Sequence, residues 1–132
     1  LGGEHGLWWK QTWHEASVRV PLIVSTPAHR SCEQMPTVVG DPVSLGDLFP
    51  TLCGLAGEMP TGDLDGVDLS PILRGEGSSV VADRAGIFVE NLNPHAGAGT
   101  EYRMIRSLRY KYIAFNEGRP ISPVPKKTIF TS

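Results

Sequence analysis

The chain has 132 residues, 12 Lys and Arg against 14 Asp and Glu, and two Cys, which bounds it at one domain of ordinary globular composition. No apolar run approaches the about 18 residues that a membrane-spanning helix needs, and Cys32 and Cys53 have neither metal-type nor redox-type spacing. Charge is uneven along the chain: residues 1–100 hold 5 Lys/Arg against 12 Asp/Glu, and residues 101–132 hold 7 against 2. A basic end suits nucleic acid, but Arg103, Arg106, Arg109 and Lys111 alternate with Tyr102, Tyr110 and Tyr112. That pattern fits the solvated or ion-paired face of a half-buried strand, so no nucleic-acid or membrane partner is expected.

The first residue is Leu1, and the reading is that the sequence opens inside a longer protein. A Gly- and Trp-rich stretch carries Lys10 just ahead of Val18–Ser25, an apolar run that predicts a buried strand, central in a parallel sheet. Ala28–Asp41 reads as a polar loop with a brief edge strand at Val38-Val39. Ser44–Leu55 is the strongest predicted helix. Ser44 and Asp47 cap its start, and Leu45, Leu48, Phe49, Leu52 and Leu55 form one apolar face. Pro50 is awkward inside it and predicts a separate or distorted first turn, while Gly57 ends it in left-handed geometry. Asp65-Gly66 is a turn, and Asp68 caps a short helix over Leu69–Leu73 that stops near Gly75.

Glu76–Arg84 reads as a polar connector, Ala85–Glu90 as a strand and Asn91–Gly99 as a Gly/Asn/Pro loop. Tyr102–Arg106 and Tyr110–Phe115 predict a hairpin turning at Ser107-Leu108. Residues 116–132, with Pro120, Pro123 and Pro125, read as an irregular tail. The fold class is therefore α/β to α+β.

Lys10 is the leading chemical candidate. Among Gly6, Trp8, Trp9 and Trp13, its ammonium would be a point charge, walled by aromatics, for the oxyanion of a sulfate or phosphate ester. Spacing alone favours the plainer reading of an exposed lysine whose stem lies on indole surface. His5 beside Glu4 reads as a surface loop residue with ligand or proton-donor chemistry as the alternative. His14 and Glu15 are adjacent and point in different directions, and His29 and His95 lack clustered ligands. Asp63, Asp65 and Asp68 do not match a calcium loop, because the sixth position is Asp68 rather than Gly. No phosphate-cradling Gly-rich loop and no Gly-x-Ser-x-Gly elbow is present.

Four motifs in order resemble the type I, formylglycine-dependent sulfatases of the alkaline-phosphatase-like superfamily. Gly3-Glu4-His5-Gly6-Leu7-Trp8 with Lys10, leading into Arg19-Val20-Pro21-Leu22, is similar to the family's lysine segment. Asp47-Leu48-Phe49-Pro50-Thr51-Leu52 resembles a family helix that contains its own proline, and Leu64-Asp65-Gly66 followed by Leu69–Gly75 resembles a third motif. Tyr102–Arg106 with Arg109–Ile113 resembles the carboxy-terminal hairpin.

The resemblance implies the edge of a doubly wound sulfatase sheet followed by a helix and a small antiparallel sheet. It divides the chain into the carboxy-terminal part of the α/β domain (1–57), a subdomain (58–115) and a tail (116–132). It implies a sulfuric ester hydrolase acting on sulfate monoesters of small molecules or carbohydrates. The nucleophile would be a formylglycine made from Cys/Ser-x-Pro-x-Arg, with calcium or magnesium holding the sulfate. Lys10 matches the lysine that contacts the sulfate group. His5 matches a less constant position and is the second candidate for substrate contact.

Neither Cys32 nor Cys53 fits the nucleophile signature, and the metal-binding Asp-His-Gly would lie just before Leu1, so no metal is expected on this chain alone. Leu108 stands where the family favours Gly, which predicts strain in the hairpin turn. Hydrolysis of phosphate or phosphonate esters, and a non-catalytic interaction domain, remain as alternatives.

Overall fold

The structure is a computed structural model that describes residues 1–8, 10, 12–33, 38–77, 79–92, 101–116 and 128–131. Trp9, His95, residues 93–99 of the predicted loop and residues 117–127 of the predicted tail lie outside them. The chain separates into two units, residues 1–22 with 88–132, and residues 23–87.

The first unit is built on a four-stranded sheet in the order β1 (Ile87–Asn91), β2 (Glu101–Arg106), β3 (Tyr110–Asn116) and β4 (Thr128–Thr131). The predicted hairpin forms in antiparallel register, with Tyr102 opposite Phe115, Met104 opposite Ile113 and Arg106 opposite Lys111. Side chains alternate across a strand, so these six residues share one face. Tyr102, Met104 and Ile113 form its buried centre, with Trp13, Val18, Val89 and Phe115 packed around it. At the turn, the Ser107 N–H donates to the Tyr110 carbonyl (2.8 Å) and the Tyr110 N–H to Ser107 Oγ (2.9 Å). Leu108 keeps a negative φ, so the strain expected there is absent: serine closes the turn without a left-handed residue.

Residues 128–131, read as irregular, form β4, which pairs with β3 antiparallel from Ile113↔Thr128 to Tyr110↔Thr131. Thr-Ile-Phe-Thr has strong strand preference, and the surrounding prolines masked it. The expected strand at Val18–Ser25 does not form. Val18 closes α1 (Glu15–Val18), and Val20, Leu22 and Ile23 are exposed. A strand buried on both faces needs a partner on each side, and none of the described residues pairs with this run. The parallel-sheet edge expected from the sequence is thus not part of the described structure, whereas the helix and the small antiparallel sheet are. No strand forms at Val38-Val39 either.

The second unit contains α2 (Pro27–Arg30), α3 (Leu48–Ala56), α4 (Ser70–Leu73) and α5 (Ser79–Ala82). The last of these replaces part of the expected polar connector. A separate 3-10 turn, Leu45–Asp47, precedes α3. Pro50 falls in the first turn of α3, where its missing N–H would have had no intrahelical acceptor. Ser44 Oγ accepts from the Gly46 N–H (3.2 Å), and Asp47 accepts from the Ser44 N–H (2.7 Å). Gly57, at φ 78, closes α3, with the Glu58 N–H reaching the Cys53 carbonyl (2.9 Å).

Asp47 is fully buried and is the hub of this unit. Its two oxygens accept from both terminal nitrogens of Arg84 (2.9 and 2.7 Å), from Ser44 and from the Val67 N–H (2.9 Å). Thr51 Oγ1 donates to the Asp47 carbonyl (2.6 Å) and accepts from the Leu69 N–H (2.9 Å), tying α3 to the start of α4. Asp68 accepts from the Ser70 N–H (2.7 Å) and the Ser70 hydroxyl (2.9 Å). Gly54 and Gly66 permit this closeness: a Cβ on Gly54 would fall on the Asp68 carboxylate, and one on Gly66 on the Gly46 carbonyl.

The buried side of α3 is therefore Pro50 and Thr51. The apolar face expected to pack inward is turned out, with Leu45, Phe49 and Leu52 more than half exposed.

Burial alone would raise the Asp47 carboxyl, but the Arg84 guanidinium and the Ser44 and Val67 amides hold it below the ordinary carboxylate range. A depressed folded value contributes stability that is complete above the unfolded value, about 3.9, and is lost as pH falls through the folded one. Urea unfolding of Asp47→Ala is expected to show a loss of about 3 kcal/mol or more, since Arg84 is left beside an empty buried site. Asp47→Asn is expected to flatten the acid limb of stability below about pH 4; an unchanged limb would exclude Asp47 as its source. The exposed apolar residues Val20, Leu22, Ile23, Phe49 and Leu52 lead us to expect that the purified chain self-associates or binds a hydrophobic dye. A dye-silent monomer that melts cooperatively would contradict this.

Candidate functional site

The site is assembled around the segment that carries Lys10. The chain enters it through a 3-10 turn at Glu4–Gly6, closed by Gly3 N–H to the Leu7 carbonyl (2.9 Å) and Leu7 N–H to the Glu4 carbonyl (3.0 Å). Lys10 is exposed. Trp8 is 77% exposed and lies against Gly3, where a Cβ would meet its ring at 3.3 Å. Trp13 points the other way, edge-on to Tyr102 (5.7 Å) and Phe115 (4.7 Å). The expected aromatic wall around Lys10 is thus divided: Trp13 belongs to the core, where a large apolar ring gains most from burial, and Trp8 stays at the surface.

Beyond Trp13 the segment is fastened electrostatically. Arg106 and Lys111 are directly opposed across β2 and β3, an arrangement that repels. Glu15 lies against both, at 2.5 Å from Lys111 Nζ and 3.7 Å from Arg106 Nε. Lys111 Nζ also donates to the Trp13 carbonyl (3.0 Å). Burial would raise the Glu15 carboxyl, but the hydrogen bond and charge of Lys111, with Arg106 and Arg19, hold it low. Arg103 pairs with Glu90 (2.8 Å), and Arg109 lies over the Tyr110 ring (5.2 Å). The basic residues are ion-paired or stacked as expected, but they do not share one solvated face: Arg106 and Lys111 lie on the core face and Arg103 on the other.

The histidines separate by role. His5 and His14 stack, centroids 4.0 Å apart. His14 is held below the ordinary histidine value by burial first, then by His5 and Lys111. His29 is absorbed by α2, where its Nδ1 lies 2.7 Å from Thr26 Oγ1 in a capping box. Cys32 and Cys53 are both free. Sequence reasoning missed the Glu15 clamp, whose partners lie 96 positions apart. The available signal was the pairing of two cations that the hairpin register itself predicts.

Over residues 3–121 the chain matches the family described as N-sulphoglucosamine sulphohydrolase, C-terminal. The chain belongs to the sulfatase family. It is 35% identical to arylsulfatase K of Danio rerio over 93% of the chain and 23% of that protein. Arylsulfatase A of Bos taurus is 38% identical over 83% of the chain and 20% of that protein. Steryl-sulfatase of Mus musculus is 42% identical over 58% and 12%. No solved structure matches significantly. The chain thus matches between 12% and 23% of the length of these sulfatases, and it corresponds to the C-terminal part of the family.

Sulfatases as a family work with a divalent metal, but the described residues do not fit one: no group of three or more His, Cys, Asp or Glu converges to hold an ion. The acidic residues Asp47 and Asp68 are spent on Arg84 and on backbone and hydroxyl donors within the second unit.

A double-mutant cycle on Glu15→Gln and Lys111→Met, read by urea unfolding, is expected to give a coupling of about 1 kcal/mol, since Glu15 is 41% exposed and partly screened. A coupling of zero would mean that Trp13 burial alone docks the segment.

Proposed function

We propose that Lys10 contacts the sulfate group in a sulfuric ester hydrolase that cleaves sulfate monoesters, small-molecule or carbohydrate. The observation that carries this reading is the placement of Lys10 in a segment matched to the sulfatase family and anchored on its C-terminal side by Trp13 and Glu15. A lysine there presents three donors and a compact charge to anionic oxygens. Held by a rigid scaffold, such a charge lowers the barrier for an ester whose negative charge shifts during S–O cleavage. His5 lines the same segment, but one face of its ring is occupied by His14.

The nucleophile in this reading is the family formylglycine, and the metal is calcium or magnesium. Neither is assigned to these 132 residues, because Cys32 and Cys53 lie in Cys-Glu-Gln-Met-Pro and Cys-Gly-Leu-Ala-Gly. Positioned charge without a nucleophile does not turn over, so the chain alone is inactive in this reading.

Purified as 132 residues, the chain is expected to leave an aryl sulfate unhydrolysed. Turnover that vanishes in Lys10→Ala would overturn the need for further segments. In a protein that joins this chain to a Cys/Ser-x-Pro-x-Arg and an Asp-His-Gly segment, Lys10→Ala is expected to lower kcat/KM on aryl sulfate by about 100-fold. Equal activity of the variant would remove Lys10 from the site. A preference for aryl phosphate or phosphonate in the parent protein would move the assignment to the sister esterases.

A further inference from the structure

His5 and His14 flank the segment that holds Lys10, and their rings stack at 4.0 Å with planes 14° apart. Each is fixed from behind. His5 sits at φ 56 in the Glu4–Gly6 turn, which Gly6 N–H to the Gly3 carbonyl (3.1 Å) and Leu7 N–H to the Glu4 carbonyl (3.0 Å) close. Histidine tolerates this left-handed region better than most residues. His14 opens α1: its N–H donates to Thr12 Oγ1 (3.3 Å), and its carbonyl accepts from Ser17 (2.9 Å). The preceding Trp13 is seated on Tyr102 and Phe115. In near-parallel stacked rings the in-plane lone pairs do not converge on a single ion, so the pair is not a metal site.

We propose that this stack is a proton-sensitive clasp: it stays closed while at least one ring is neutral and opens when both are imidazolium, freeing the Glu4–Gly6 turn from α1 and with it the placement of Lys10. The nearby acids relieve the second proton only in part. Glu4 lies beside His5. Glu15, the acid nearest His14 in sequence, is already engaged by Lys111 from β3 and Arg106 from β2, and Lys111 itself opposes a charge on His14. Two unit charges at the ring spacing repel even in water, and the neighbouring His5 is one of the causes that hold His14 low. Any consequence for sulfate ester binding rests on the role proposed for Lys10; the clasp itself does not.

The test is an NMR titration of the His5 and His14 ring protons in the 132-residue chain, with pH-corrected hydrogen exchange at the Gly6 and Leu7 amides. Two variants complete it. His5→Asn keeps a residue tolerant of the left-handed turn, and His14→Phe keeps an aromatic partner that cannot charge. His5→Asn is expected to raise the His14 midpoint, since it removes one of the causes that hold it low. In the parent chain, protection at Gly6 and Leu7 is expected to fall about tenfold once both rings are protonated, and to persist through the same range in His14→Phe. Exchange read by mass spectrometry on peptides from residues 1–8 gives the same comparison if association broadens the spectra. A His14 midpoint unmoved by His5→Asn, or the same acid loss of protection in His14→Phe, would overturn the clasp. Neither readout involves hydrolysis, so a failed sulfatase assignment and a failed clasp are distinguishable.

Discussion

Two cations face each other across the central strand pair, and the rest of the first unit follows from how that repulsion is relieved. Arg106 and Lys111 share the face of the hairpin that also carries Tyr102, Met104, Ile113 and Phe115. One segment that is apolar at one end and acidic two residues later satisfies the whole face. Trp13 covers the aromatic end and Glu15 neutralises the cationic end. Glu15 is partly exposed, so the ion pairs by themselves add little; their effect is to fix the register at which Trp13 is buried. Lys10 lies three residues before that anchor.

The second unit is organised on the opposite principle. Its centre is a charged group, Asp47, with every lone pair directed at a donor. A buried carboxylate is tolerable only when so fully satisfied, which explains the small and polar inner side of α3 and the glycines that let Asp68 and the Gly46 carbonyl approach. The outward leucines and Phe49 are the corollary. With polar groups holding the inside, Leu45, Phe49 and Leu52 stay more than half exposed.

Some elements were legible in the sequence because their signals are local. The hairpin follows from alternation, the end of α3 from Gly57, the cap before it from Ser44 and Asp47 three residues apart, and the separate first turn from Pro50. Val18–Ser25 misled because an apolar run predicts burial without saying against what. The apolar stripe of α3 misled for the same reason, and β4 was hidden by the prolines around it.

The sequence by itself determined the antiparallel hairpin and the start and end of α3, since each depends on neighbours within a few positions, and the family, through four motifs in order along the chain. Only the tertiary structure decided that Trp13 leaves Lys10 for the core, that Glu15 finds Lys111 across 96 positions, that Asp47 finds Arg84 across 37, and that His5 stacks on His14. Those contacts depend on where the chain returns in space. Charge and ring partners are chosen there by which faces the sheet register and the buried carboxylate bring together.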